Sequence, residues 1–374
     1  MDIKILITGD YCPKERNLLS IKDGDYDSLF GDFLKYSTSV DLAITNLESP
    51  ITDSIKKIKK TGPSHKVPYE AIKPIVNAGF QLVTLANNHI MDYGSEGLIS
   101  TIKICRQERI NYVGAGKNIQ EARRPFYIKL KNKKIAIINI SENEFSTTLG
   151  DNYGANPLNV ITNHYDIKEA KNEADFVVVI FHGGCEYYRL PTPKLRERLR
   201  FFVDSGADVV VGHHTHYYGG HENYKGKTIF YSLGNFIFDA KRKQNNNFWT
   251  QGFGVMLHLK ENTISFELIP YHQGRKESPN VTLFNETERK AFDAEIEKIN
   301  TIIANDQLFE EEWRKFIKSN QKTYKSLLFI KNKYLRKIIK RMNLPLFTLN
   351  SKKHRMLMLN IMRCETHQEI MVDV

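Results

Sequence analysis

The run Asp208-Val209-Val210-Val211-Gly212-His213-His214-Thr215-His216 constrains this chain more than any other stretch. A short apolar run stops at a glycine, and three histidines follow within four residues. Strands that end abruptly in polar loops are where layered α/β proteins place their chemistry, and imidazole is the commonest protein ligand for catalytic metals. A lone His-x-His is weak evidence, but the pattern recurs. Apolar runs at Ile3 to Thr8, Leu42 to Asn46, Leu82 to Ala86 and Phe176 to Phe181 end respectively in Gly9-Asp10, Leu47-Glu48, Asn87-Asn88-His89 and His182-Gly183-Gly184. Five strand ends carrying carboxylates, amides and imidazoles point to a metal centre.

Composition narrows the class. Over 374 residues, a 41% hydrophobic content is ample for one large core or two domains. No window approaches the roughly 20 apolar residues that span a bilayer. Met1-Asp2 leads straight into the first apolar run, with no signal-peptide pattern, so a cytoplasmic protein is expected. Cys12, Cys105, Cys185 and Cys364 are far apart and form no C-x-x-C pair, which argues against a disulfide framework.

Charge is unevenly placed. Trp313 to Cys364 holds fifteen Lys or Arg and no Asp or Glu, which exceeds the net +11 of the whole chain, so the remainder is net acidic. Such a stripe suits an anionic lipid surface, an anionic polymer or nucleic acid, or is simply a solvated helix face. No zinc-finger spacing, RNP aromatics or KH loop accompanies it, which argues against nucleic acid. Val113-Gly114-Ala115-Gly116 lacks the full dinucleotide-binding pattern, and no G-x-S-x-G elbow is present.

Apolar patterning predicts further strands at Ile135 to Ile140, Thr228 to Leu233, Gly254 to Leu259 and Ile264 to Ile269. Helices are predicted at Glu70 to Ala78, Ser95 to Arg109 and Pro193 to Ser205. The first half reads as βαβ units and the later strands as antiparallel neighbours. Ile55 to Pro63 reads as a mobile basic loop. Character changes near Gln273 to Asn280, giving an expected domain of residues 1–272 and a basic helical extension of 273–374. In the extension, helices are expected over Thr287 to Ala304, Asp306 to Met342 and Lys352 to Arg363, with a break at Pro345. The extension packs on the core or on a partner.

In order along the chain, these motifs resemble the CapA family of capsule and poly-γ-glutamate synthesis proteins, a branch of the calcineurin-like metallophosphoesterases. The residues that carry the resemblance are Gly9-Asp10, Asn46-Leu47-Glu48, Asn87-Asn88-His89 with Asp92-Tyr93-Gly94, His182-Gly183-Gly184 with Glu186-Tyr187, and Gly212 to His216. Tyr231 to Phe236, Asp239 and a short match at Cys364 to His367 extend it. The resemblance implies an α/β fold, a metallophosphoesterase-like layered α/β sandwich with a helical C-terminal extension. It implies one or two divalent ions (Mn, Fe, Zn or Mg) held by Asp10, Glu48, Asn88, His182, His214 and His216, with Glu48 in the place of the usual bridging aspartate. His89 would contact a phosphoryl group or protonate a leaving oxygen, and Asp92 would support a histidine or merely shape a turn. Glu186, Tyr187, His213 and Asn235 are candidate substrate contacts, each with a structural alternative. Ser141 to Phe145 and Gly154 to Leu158 are either ligand contacts or solvated loops.

Two departures stand out. Cys12 stands at the place of the histidine in the Asp-x-His with which metallophosphoesterases usually begin, and is either a soft ligand favouring Zn²⁺ or a small buried hydrophobe. The N-terminal anchor familiar in CapA proteins is not seen. The implied activity is metal-dependent hydrolysis of a phosphate ester or of a capsule or cell-wall polymer precursor. The alternative is a non-catalytic subunit of a synthesis assembly. A peripheral position at the inner membrane face, through the basic helices, is compatible with either.

Overall fold

Period-two alternation in the apolar runs decides which layer each residue joins. A computed structural model describes residues 2–60, 62–261, 263–329 and 332–342. In the first strand, β1 (Asp2–Tyr11), Ile3, Ile5 and Ile7 enter one apolar cluster while Leu6 enters another. The same split runs through Phe176–His182 and Val209–His213. Val178, Ile180, Val209 and Val211 face the first of these clusters, and Val177, Val179, Phe181 and Val210 face a third. Strands buried on both faces read as continuous apolar runs, which is why these segments are so visible in the sequence.

One mixed sheet contains β1, β2 (Leu42–Leu47), β3 (Leu82–Thr84) and β4 (Asn111–Val113), all parallel. A two-residue pair, β5 (Ala115–Gly116) with β8 (Gly154–Ala155), lies outside it. A second sheet begins with the antiparallel pair β6 (Phe126–Leu130) and β7 (Lys133–Ser141). It continues through β9 (Phe176–His182) and β10 (Val209–His213) to β12 (Lys227–Phe230) in parallel, and closes with antiparallel β11 (His221–Tyr224). The first sheet is completed by β13 (Asn235–Ile237), parallel to β1, and by the antiparallel run β14 (Gln251–Lys260), β15 (Thr263–His272) and β16 (Thr282–Leu283).

The sheets pack face to face through the cluster that draws on β1, β9, β10 and β14. Helices cover their outer faces, among them Gly94–Gln107 on the first and Val160–Glu173 and Pro193–Asp204 on the second. This is the layered α/β sandwich expected from the sequence. The helix Pro193–Asp204 starts on the Thr192 side chain, which accepts from the Leu195 N–H, and stops before Gly206 at φ 123°.

The described chain divides into two compact units, Met1–Asp306 and a second beginning at Gln307. The segment after residue 272 contributes to the first unit. β16 joins its sheet, and Phe292, Ile296, Ile299 and Ile303 of the helix Glu286–Ala304 enter its apolar clusters. The single helix expected over Asp306 to Met342 is instead two, Asp306–Phe329 and Lys333–Arg341. Asn332 starts the second, its side chain accepting from the Tyr334 and Leu335 N–H groups, and this local cap competes with helix continuation. The expected helix Lys352 to Arg363 and the match at Cys364 to His367 lie outside the described residues.

Candidate metal centre

The C-terminal ends of β1, β2, β9 and β10 and the turn after β3 converge on one buried cluster of ionisable side chains. Asp10 arrives by a close approach that only glycine permits. A Cβ on Gly9 would lie 1.9 Å from the Gly234 carbonyl oxygen, and the Asp10 N–H donates to that same carbonyl at 3.1 Å. The β1–β2 register shifts here, between Ile7 and Asp10, a local bulge that re-aims the carboxylate.

Six of the expected residues meet at this point. His182 Nε2 lies 3.1 Å from Asn88 Oδ1, 3.2 Å from His214 Nδ1 and 3.6 Å from Glu48 Oε1. His216 Nδ1 lies 3.9 Å from Asp10 Oδ2, and His182 Nδ1 lies 3.9 Å from Asp10 Oδ1. Two sets of donors result, Glu48 with His182 and His214, and Asp10 with Glu48 and His216. Within each set the ligand atoms all lie within 4.8 Å of one another. Glu48 belongs to both.

Glu48 is also the electrostatic anomaly. It is fully buried, and neither carboxylate oxygen has a hydrogen-bond partner. Burial, then repulsion from Asp10, pushes its carboxyl well above the ordinary range. Asp10 is raised to about 7 by burial, opposed by hydrogen bonds from the Asn46 amide and the His214 N–H. Burial lowers the imidazoles, His214 to about 4 and His216 to about 3, so both are neutral at pH 7 with a lone pair to offer. Burial also holds His182 well below the ordinary range, and two buried carboxylates beside three neutral imidazoles form a donor set that fits a divalent metal of the Mn, Fe, Zn or Mg type.

The surrounding amides hold this set in place. Asn235 Nδ2 donates to the Trp249 carbonyl at 3.3 Å, so its Oδ1 faces His216 Nδ1 at 2.9 Å. That oxygen can only accept. The proton therefore sits on Nδ1, and Nε2 keeps its lone pair. Asn46 Nδ2 stands between Asp10 Oδ1 at 2.8 Å and His182 Nδ1 at 3.2 Å. His214 and His216 hold φ values of 91° and 60°, backbone strain that non-glycine residues rarely carry and that clusters at functional sites.

Beside the cluster lies a dyad. His89 Nδ1 is 2.6 Å from Asp92 Oδ2, which leaves Nε2 as the atom able to engage a ligand. Burial holds His89 below the ordinary histidine range. Asp92 also accepts from the His65 N–H at 2.6 Å and from Lys60 Nζ at 2.5 Å. The Lys60 side chain, only 4% exposed, donates as well to the Asn88 carbonyl at 3.3 Å. The His65 ring lies tilted against that of His89 with centroids 4.2 Å apart, touches Lys14 Nζ, and is lowered to about 2 by burial. Within the basic stretch expected as a loop, two points are held against Asp92: the Lys60 side chain, and Ile58, whose N–H donates to the Asp92 carbonyl at 3.0 Å.

Other candidates fall elsewhere. His213 is not part of the cluster: its Nε2 meets the Thr8 carbonyl at 2.9 Å across the inter-sheet layer. Cys12 packs with Phe238 and Trp249 and belongs to neither donor set. Asp239 is engaged by Arg16 through both carboxylate oxygens at 2.8 Å and shapes its loop. Glu186 and Tyr187 sit at the exposed rim. The Tyr187 ring lies 6.0 Å from that of His216, under Lys243 Nζ at 4.0 Å. Glu144, from the Ser141 to Phe145 segment, approaches His214 Nε2 at 3.9 Å.

Residues 4–240 match the family model described as bacterial capsule synthesis protein PGA_cap. The chain is 31% identical over 257 residues to the capsule biosynthesis protein CapA of Bacillus anthracis, covering 65% of this chain and 61% of that one. It is 33% identical over 256 residues to the PGA biosynthesis protein CapA of Bacillus subtilis, covering 65% and 64%. A protein of Mycobacterium tuberculosis named "Probable polyglutamine synthesis accessory protein" is 24% identical over 217 residues, covering 54% and 57%. The matched region thus spans a little over three fifths of the two Bacillus relatives' length. With the family model covering more than half the sequence, the chain belongs to the PGA_cap family of bacterial capsule synthesis proteins.

Proposed function

We propose that this protein is a metal-dependent hydrolase that acts on a phosphate ester or on a capsule or cell-wall polymer precursor during capsule or polyglutamate synthesis. The observation that carries the reading is Glu48, a buried carboxylate without a partner, common to two sets of neutral imidazole and carboxylate donors. Asp10, Glu48 and His216 would hold one ion, and Glu48, His182 and His214 another, with Asn88 beside His182 Nε2. Ions at such a site supply a water nucleophile at neutral pH and stabilise charge on an in-line displacement.

The chain's own groups do the positioning. Asn235 keeps the His216 Nε2 lone pair available, and Asn46 orients Asp10 and His182. Asp92 fixes the His89 ring through Nδ1 and leaves Nε2 to contact the reacting group or exchange a proton with it. Lys60 and His65 hold Asp92 from the other side. Tyr187 and Glu186 at the rim are the candidate substrate contacts.

The test is metal content together with turnover. The purified protein should carry divalent metal by elemental analysis and hydrolyse a generic phosphodiester such as bis(p-nitrophenyl) phosphate, and Glu48→Gln should lose both together. Bound metal without turnover across phosphoesters, peptidic polymers and glycans would favour a non-catalytic subunit. The accessory-protein name of the mycobacterial relative supports that second reading. No bound metal in the wild-type protein would overturn both.

A further inference from the structure

We propose that the helix Lys333–Arg341 is an in-plane anchor for an anionic lipid surface. The segment reads Lys-Tyr-Leu-Arg-Lys-Ile-Ile-Lys-Arg and is followed by Met342. At about 100° per residue, sequence positions 334, 335, 338, 339 and 342 fall within one arc of roughly 140°. Positions 333, 336, 337, 340 and 341 fall within the opposite arc of similar width. The first arc is wholly apolar and the second wholly cationic, with no acidic residue in either.

Four residues of the apolar arc are exposed. Tyr334 and Met342 are each 64% exposed, and Leu335 and Ile338 each 48%. A surface helix of a globular protein normally turns such residues inward. The Asn332 cap gives the helix its own start, independent of the helix before it. Among the described residues no helix is long and apolar enough to cross a membrane, so the segregation fits a helix lying at an interface. The occupant follows from charge complementarity together with that apolar face. Polyanions such as nucleic acid would satisfy the cations and leave Leu335 and Ile338 in water, whereas an anionic bilayer satisfies both arcs at once.

The experiment uses the full chain and sedimentation with phosphatidylcholine vesicles, with and without phosphatidylglycerol. Binding should be at least about tenfold stronger to the anionic vesicles at low salt and should weaken as salt is raised. Leu335→Gln with Ile338→Gln, which keeps the charge, should lose most of that binding, as should Lys337→Gln with Arg341→Gln. In a Tyr334→Trp variant the emission of the introduced indole should shift to the blue on anionic vesicles. Equal binding to both vesicle types, binding indifferent to the Gln pair at 335 and 338, or an unshifted emission from the Tyr334→Trp variant would overturn the proposal. So would a change in oligomeric state of the 335 and 338 variant without vesicle binding by the parent, since a second copy would then cover the face. Far-UV circular dichroism and metal content, unchanged in each variant, exclude loss of fold.

Discussion

Glu48 and Asp92 are both fully buried carboxylates beside the same cluster, yet they are provided for in opposite ways. Asp92 accepts from Lys60, the His65 N–H and His89, so its compensating cation is covalently part of the chain. Glu48 accepts no hydrogen bond, and burial together with repulsion from Asp10 holds its carboxyl well above the ordinary range. A buried charge without a partner is expensive. On the proposed metal reading, the cation that would compensate Glu48 at this meeting point of four strand ends comes from outside the chain, whereas the dyad carries its own in Lys60.

The two carboxylates should therefore respond in opposite directions to neutralisation. In protein stripped by chelator, Glu48→Gln replaces a carboxyl whose charged form is already disfavoured by burial and by Asp10, and should leave thermal stability unchanged or raised. Asp92→Asn strands Lys60 in the interior and should cost about 3–5 kcal/mol, the scale for breaking a buried pair. Differential scanning calorimetry of the two stripped variants checks this, and a large loss in Glu48→Gln would show that its carboxylate is already partnered. With metal present the ranking should reverse. Glu48→Gln removes the ligand common to both donor sets and should lower metal affinity by more than the roughly 10- to 100-fold that outer partners command. Isothermal titration with Mn²⁺ and Zn²⁺ reads that loss.

His89→Ala separates the two regions by chemistry. Its ring is held by Asp92 and lies outside both donor sets, so metal content should stay at the wild-type level. Turnover should fall by about 10²- to 10⁴-fold, the usual contribution of a positioned acid or base. Metal lost in parallel with turnover would merge the two regions into one ligand shell and undo the comparison. Asn235→Ala sits on the other side of the divide. Losing the Nδ1 partner of His216 should weaken metal binding by about 10- to 100-fold, with turnover recovered at high metal concentration.

Apolar runs made the sandwich legible. Every strand predicted from them is present: those buried on both faces, such as Phe176–His182 and Val209–His213, read as continuous apolar runs, while Thr263–His272 alternates along its exposed half. The ring Asp10, Glu48, Asn88, His182, His214 and His216 was legible for the same reason, each residue lying at or just beyond a strand end. His213 shows where a finer signal was available. It shares the parity of Val209 and Val211, both facing the other sheet, so its side chain had to enter the inter-sheet layer rather than the site. Lys60 and His65 carry no such signal. They come from coil without periodicity, and only the tertiary fold brings them to Asp92. Asn332 is a good cap residue, but the apolar periodicity on either side of it masks a single-residue signal.

Cys12 offers the smallest and sharpest test of where the metal shell ends. It follows Asp10 by two residues, and the sequence leaves two roles open for it, a thiolate ligand or a small buried hydrophobe. Its surroundings point to the second. The side chain packs with Phe238 and Trp249, and burial pushes its thiol above the ordinary range, which disfavours the thiolate a metal would bind. Cys12→Ala should therefore leave metal stoichiometry and the preference between Zn²⁺ and Mn²⁺ unchanged. It should cost only about 1 kcal/mol through the small void left beside the two aromatic rings. Metal titration and a thermal melt on the same sample decide it. A selective fall in Zn²⁺ affinity with an unchanged melt would move Cys12 into the shell and extend the ring of ligands beyond Asp10, Glu48 and the histidines.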